Sequence, residues 1–260
     1  MFILLTDETN RAHSDDARFF VYGGLIVPMS SVPALHAAIA EIRSNHSYAP
    51  ADALKFDTNS RPEHVTLAEA TDAKRQVIAA CIAHSCRFIA YVVHHQIARN
   101  QPIQQVVEWG ADHVIGKFNY FLTVEGSYGI VAMDRLPDGM EFSYLAQKFS
   151  GGLSFPDDPA VLLDRITLFS STSINASHLS SAMDIVLGSW RYCINAPRNV
   201  EAAKSMMADI TQLIWHRREG DTLHAAEKGL VMRPKEVRNP QYKADYDALL
   251  ENINALIAHL

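Results

Sequence analysis

Apolar and polar positions along this chain switch between strand-like runs and helix-like spacings, and together they predict an α/β fold. Residues 2–6 are apolar apart from Thr6 and stop at Asp7-Glu8, the pattern of a short buried strand. A polar turn over 10–18 leads to 19–27, rich in β-branched and aromatic side chains, which reads as the second arm of a hairpin. Gly23-Gly24 inside that arm predicts a bulge or a close backbone approach, and Pro28 ends it. Leu35, Ile39 and Ile42 mark one face of a helix behind Ser30 and Ser31. Residues 54–57 predict a short strand, 65–85 a helix, 87–97 a strand, 103–124 a helix opened by Pro102, and 128–133 a strand ending on Asp134. A weaker helix over 139–149 is followed by a Gly- and Asp-rich loop, a strand over 165–171 and a helix from Ser177 or His178 to about Ile194. Beyond Pro197, residues 200–218 read as helix, 219–240 as an exposed polar excursion and 241–258 as an amphipathic helix.

A hairpin at the start counts against a purely doubly wound parallel sheet, in which a helix would separate the first two strands. The expected architecture is a mixed sheet with helices on both faces. It divides into a domain over 1–196 and a C-terminal helical extension over 197–260 packed on it. Tyr246, Leu249, Leu250, Ile253 and Leu256-Ile257 line the apolar side of the last helix, which either closes the core or binds another copy or a protein partner.

Composition narrows the function classes. The 260 residues carry 23 basic and 29 acidic side chains, a net charge of −6, which excludes coating nucleic acid by bulk positive charge. A local basic groove is left open, with His216-Arg217-Arg218 and Arg233 to Arg238 as candidates. Cys81, Cys86 and Cys193 have no zinc-ligand spacing and read as reduced thiols of a cytoplasmic protein. The apolar start is too short for a signal peptide, and no other run approaches the ~18 residues of a membrane span. There is no Walker A, G-x-G-x-x-G or G-x-S-x-G motif. Trp109, Trp190 and Trp215 fall on predicted helices, where core packing is the default.

Three aspartates share an unusual setting. Asp7 and Asp134 each end an apolar strand, and Asp184 lies inside the otherwise apolar helical stretch 182–188. An ionised carboxylate in such surroundings needs a partner or a metal, and three together repel one another unless a divalent cation neutralises them. Oxygen ligands of this kind suit Mg2+ or Mn2+. The plainer reading is that Asp7 and Asp134 are turn formers and that Asp184 pairs with Arg191 or faces water beside Ser180 and Ser181. The neighbours His94-His95 point to opposite faces of a strand and read as structural; His13, near Asp15-Asp16, sits in the polar turn.

Several of these segments resemble one family in its own order. Thr6-Asp7-Glu8-Thr9-Asn10 followed by Phe20-Val21-Tyr22-Gly23-Gly24-Leu25-Ile26-Val27 is similar to the opening of the DUF3800 proteins. Leu54-Lys55-Phe56, the run ending Met133-Asp134 and the helix Ser181-Ala182-Met183-Asp184-Ile185-Val186-Leu187-Gly188 resemble its later motifs, so the likeness spans residues 2 to about 194. Thr9 stands where the family has Ser, and Ser181 where it has Gln. The resemblance implies a ribonuclease H-like fold and a metal-dependent nuclease, with Asp7, Glu8, Lys55, Asp134 and Asp184 as site residues and Asp7, Asp134 and Asp184 on the metal. Glu8 joins such a site only if its strand has ended or bulged, because adjacent strand residues face opposite ways. The expected activity is hydrolysis of phosphodiester bonds in DNA or RNA. The alternatives are a binding or assembly module with the same fold and a phosphohydrolase of a small nucleotide.

Overall fold

The computed structural model describes residues 1–9, 17–134, 141–155, 160–173, 176–195, 199–219 and 222–258. His13, Asp15 and Asp16 lie outside the described residues. The strands are β1 (Phe2–Thr9), β2 (Phe19–Pro28), β3 (Arg87–His94), β4 (Gly129–Met133), β5 (Ile166–Ser171), β6 (Arg217–Glu219), β7 (Thr222–His224) and β8 (Leu230–Arg233). The helices are α1 (Val32–Asn45), α2 (Leu67–Ala83), α3 (His95–Ala98), α4 (Ile103–Val124), α5 (Glu141–Gly151), α6 (His178–Ile194), α7 (Val200–Leu213) and α8 (Pro240–Ile257).

Six strands form one sheet in the order β5-β4-β1-β2-β3-β8. β2 is antiparallel to both β1 and β3, while β4 pairs parallel with β1, β5 with β4 and β8 with β3. Only β2 therefore runs against the rest, and the carboxyl ends of the other five open on one rim. This is the expected mixed sheet, with helices on both faces.

Strand alternation sorts the core into two layers. Leu5, Val21, Leu25 and Phe88 face one side and pack with α1, α2, α6, α7 and α8. Leu4, Phe20, Tyr22, Ile89 and Tyr91 face the other, beneath α4. Gly23-Gly24 is a close approach of both helix layers to the sheet and is not a bulge, since the β1–β2 register runs through it unbroken. A Cβ on Gly23 would meet Leu187 of α6 at 2.7 Å, and one on Gly24 would meet Val114 of α4 at 2.7 Å. On α8, Tyr246, Leu249 and Ile253 are buried in the core of their own chain. Cys81, Cys86 and Cys193 form no disulfide, and among the described residues no helix is long and apolar enough to cross a membrane.

Four sequence expectations are corrected. Residues 54–57 form a loop, not a strand, because the Phe56 N–H and C=O are taken by side chains of α6 and α2 instead of a neighbouring strand. β1 does not stop before Asp7-Glu8 but continues to Thr9, paired with Val21. The strand expected over 87–97 ends at His94, whose ring Nδ1 accepts from the Gln96 N–H and starts α3. The stretch 219–240 is not wholly exposed: β8 joins the main sheet and buries Leu230 and Val231. His94 stacks on Tyr242 with centroids 4.6 Å apart and lies 3.4 Å from Asp245, which fits the structural reading of that histidine.

Candidate active site

Asp7 and Asp134 come together because their strands are parallel neighbours. The last ladder pair is Thr6 with Met133, and the Asp134 N–H then donates to the Thr6 carbonyl at 3.0 Å, placing Asp134 beside Asp7. Asp7 pairs across the hairpin with Gly23, whose missing side chain faces Met183 and Leu187 of α6. Asp7 is thus on the α6 face, two residues beyond Leu5. Its Oδ1 accepts from the Glu8 N–H at 2.8 Å. The unbroken pairing through Thr9 leaves the Glu8 side chain on the opposite face with Thr6, opposite Tyr22.

Both aspartates line a small pocket of about 20 Å³, room for one water-sized particle. Thr172 and Ser173, just past β5, and Ser180 on α6 bring hydroxyls to the same pocket. Sequence reading missed these three. The signal was available: Thr172 and Ser173 follow a parallel strand at its carboxyl end, where ligands bind in α/β sheets, and Ser180 lies one helical turn before Asp184. Ser181, at the position where the resembled family has Gln, instead lines a pocket beside Arg43 and His178. Behind the acidic pair, the Tyr22 hydroxyl and Thr6 Oγ1 are hydrogen bonded at 2.9 Å. Burial, with the charges of Asp7 and Asp134 behind it, holds that phenol firmly protonated.

Asp184 is not among the pocket's lining residues, yet it stands on the same face of the sheet, on the helix that covers β1 and β2. Its Oδ2 accepts from the Phe56 N–H at 2.6 Å. Burial pushes its carboxyl above the usual aspartate range; the Phe56 N–H and the Lys55 charge oppose this, and the charge of Asp134 adds to it. Lys55 therefore lies within electrostatic reach of Asp184, although not on a strand. The docked loop needs Gly188, because a Cβ there would meet Phe56 Cγ at 2.3 Å. Lys74 caps the other side, donating to the Phe56 carbonyl at 3.0 Å with its ammonium 4.8 Å from the ring centroid.

The donor set around the pocket is all oxygen, two carboxylates and three hydroxyls, and so fits a hard cation such as Mg2+ or Mn2+. Among the described residues, no group of three or more His, Cys, Asp and Glu side chains closes into a metal cluster. The third carboxylate is held by Phe56.

No family model matches this sequence, and no curated protein is similar to it at a significant level. Among solved structures the chain is similar to RNase HII of Archaeoglobus fulgidus in its PCNA complex, at 10% identity and a TM-score of 0.43, over 96% of this chain and 89% of that one. It is also similar to ribonuclease H2 from Pyrococcus horikoshii OT3, at 11% identity and a TM-score of 0.43, over 80% of this chain and 86% of that one. Bst-RNase HIII in complex with Mn2+ is similar at 10% identity and a TM-score of 0.39, over 82% of this chain and 62% of that one. At such low identity and TM-score these likenesses transfer no residue, metal or substrate.

Proposed function

We propose that this chain is a divalent-metal-dependent nuclease that hydrolyses phosphodiester bonds of DNA or RNA, as its resemblance to the DUF3800 proteins implies. The observation that carries the reading is the side-by-side placement of Asp7 and Asp134 in one hydroxyl-lined pocket at the carboxyl rim of the sheet. Two like charges side by side on neighbouring strands repel one another, and a shared cation relieves that repulsion. Asp7 and Asp134 would hold Mg2+ or Mn2+, with Asp184 as the third carboxylate on the α6 side. When bound, such a cation activates water and stabilises the charge on a phosphate.

The chain's own groups supply the rest. Glu8 contributes through its backbone N–H, which fixes the Asp7 carboxylate. Lys55 offers a positive charge to a phosphate oxygen from the loop beside Asp184. Thr172, Ser173 and Ser180 donate hydrogen bonds to oxygens that enter the pocket.

One observation favours the assembly-module reading instead: Asp184 pins a loop, which is a structural task. Incubation of the full chain with Mn2+ or Mg2+ and single-stranded, duplex or RNA–DNA hybrid substrates separates the two. Cleavage that needs the metal and falls about 100-fold or more in Asp134→Asn supports the nuclease. Turnover of nucleotides alone points to the small-nucleotide phosphohydrolase. No turnover of any substrate by the wild type leaves the module.

A further inference from the structure

On the α4 face of the sheet, away from Asp7, a cleft of about 780 Å³ opens between α4, Ser154-Phe155 and the end of β8. That volume falls in the ~300–1,000 Å³ range of small-molecule sites. Arg233 is the last residue of β8, so the cleft shares the carboxyl rim where such sheets bind ligands.

One wall is aromatic. Trp109, expected in the core, is instead half-buried on this wall, with the half-buried Phe155 nearby. Phe155 and His113 have ring centroids 4.8 Å apart. His113 is fixed as a neutral ring: its Nδ1–H donates to the Trp109 carbonyl at 2.7 Å and its Nε2 accepts from Arg233 Nε at 2.9 Å. Burial, aided by the Arg233 charge, takes its pKa down to about 4. With its Nε2 lone pair occupied and its ring packed against Tyr91 at 5.1 Å as well as Phe155, it offers no acid, base or metal ligand and instead holds the aromatic wall in place.

Beside it, from Lys117 on the same helix to Arg233 and Lys235, the lining is ionic, with an excess of positive charge. Arg233 donates to both Glu227 oxygens, at 3.0 Å from Nη2 to Oε2, and Lys117 donates to the same carboxylate at 3.1 Å. Two cations share one anion, and Lys235 adds a third positive charge to the lining. The other acid of the lining, Asp112, is already matched by Lys148 at 2.8 Å and Tyr144 at 2.7 Å. Glu227 is held at φ +56°, a left-handed conformation that costs a residue with a side chain ~1 kcal/mol or more. Backbone strain of this kind gathers at ligand clamps.

We propose that this cleft is a second binding site, distinct from the acidic pocket, for a planar aromatic ring that carries a phosphate, as a nucleotide does. The base lies against Trp109 and Phe155, which His113 backs, and the phosphate meets Lys117 and Arg233. The ligand is either a free nucleotide or the end of a nucleic acid strand, since both present the same chemistry.

Titration calorimetry on the full chain in EDTA tests this without any metal at the acidic pocket, so the result stands apart from the nuclease reading. Adenosine and cytidine monophosphates form one arm and a short 5′-phosphorylated oligonucleotide the other, with nucleoside alone and inorganic phosphate alone as controls. The expected result is saturable binding with Kd at or below about 1 mM in at least one arm, and at least tenfold weaker binding of the controls. Lys117→Met and Trp109→Leu should each weaken it at least tenfold while thermal unfolding shows the variants folded. Binding by nucleotide assigns a free ligand; binding by oligonucleotide alone assigns a strand end. No saturable binding in either arm overturns the proposal. So does binding that survives both variants or is lost in Asp134→Asn.

Discussion

The Phe56 N–H donates to Asp184 Oδ2 at 2.6 Å, tying a loop to a helix 128 residues further along the chain. Losing the acceptor leaves a part-buried N–H without its partner, whereas an amide keeps one. Asp184→Ala should therefore lower stability by about 1–3 kcal/mol, and Asp184→Asn should recover most of it. Thermal or urea unfolding of the two variants measures the difference. Nuclease activity should be lost in both, which separates the carboxylate's chemistry from its structural bond.

The same aspartate sets a pH dependence. Its folded pKa is raised by burial, so the folded state binds more protons than the unfolded chain in the window just above the ordinary aspartate value. That contribution to stability is present below the unfolded pKa and is lost as pH rises through the folded one. Urea midpoints of Asp184→Asn relative to wild type should thus improve as pH rises from the ordinary aspartate value through the raised folded one. A constant difference across that range would show that Asp184 titrates normally.

Gly188 should not tolerate a methyl group. The Cβ of Gly188→Ala would stand 2.3 Å from Phe56 Cγ, forcing the ring and the Lys55 loop off α6. Overpacking of this kind costs about 1–3 kcal/mol. Gly151→Ala, where an added Cβ meets nothing within 4 Å, serves as the control in the same thermal melts and should be near neutral.

If Asp7 and Asp134 hold a cation, Mn2+ must stabilise the folded chain by mass action, by about 2.7 kcal/mol at a hundredfold excess over Kd. Scanning calorimetry with Mn2+ against EDTA should show a rise in Tm for wild type and none for Asp134→Asn. The absence of any rise in wild type would remove the cation from the site.

Two histidines should titrate in opposite directions by NMR. Burial opposes the charged ring of His46, but its bonds to Asp72 at 3.0 Å and Ile42 at 2.8 Å outweigh burial and hold it above 6.5. His113 is taken down to about 4. The stability from His46 is present below pH 6.5 and lost as pH rises through its folded pKa. That from His113 is lost as pH falls from about 6.5 towards 4. Asp72→Asn should lower the His46 value and leave His113 unchanged.

Local patterns made much of the fold legible. The unbroken apolar runs of β1, β2 and β3 and the long apolar face of α4 announce themselves because each is decided by its own residues. The aspartates that close the apolar runs of β1 and β4 were visible for the same reason, and parallel pairing then brought Asp7 beside Asp134. What stayed hidden depends on distant partners. Leu54 to Asp57 looks extended but spends its backbone groups on Asp184 and Lys74. β8 is only four residues long, and Met232 and Arg233 are only partly buried. Trp109 reads as core because a helix position alone does not tell a packed face from a cleft wall.

β8 lies against the outer edge of β3, with Ala90 to Val93 matched to Leu230 to Arg233. A chain shortened to residue 196 would bare that edge. The stretch Phe88-Ile89-Ala90-Tyr91-Val92-Val93 has no charge, proline or bulge to discourage another strand from adding to it. Such a fragment is suited to self-templated aggregation, so expression designed around the first 196 residues should give insoluble material where the longer chain does not.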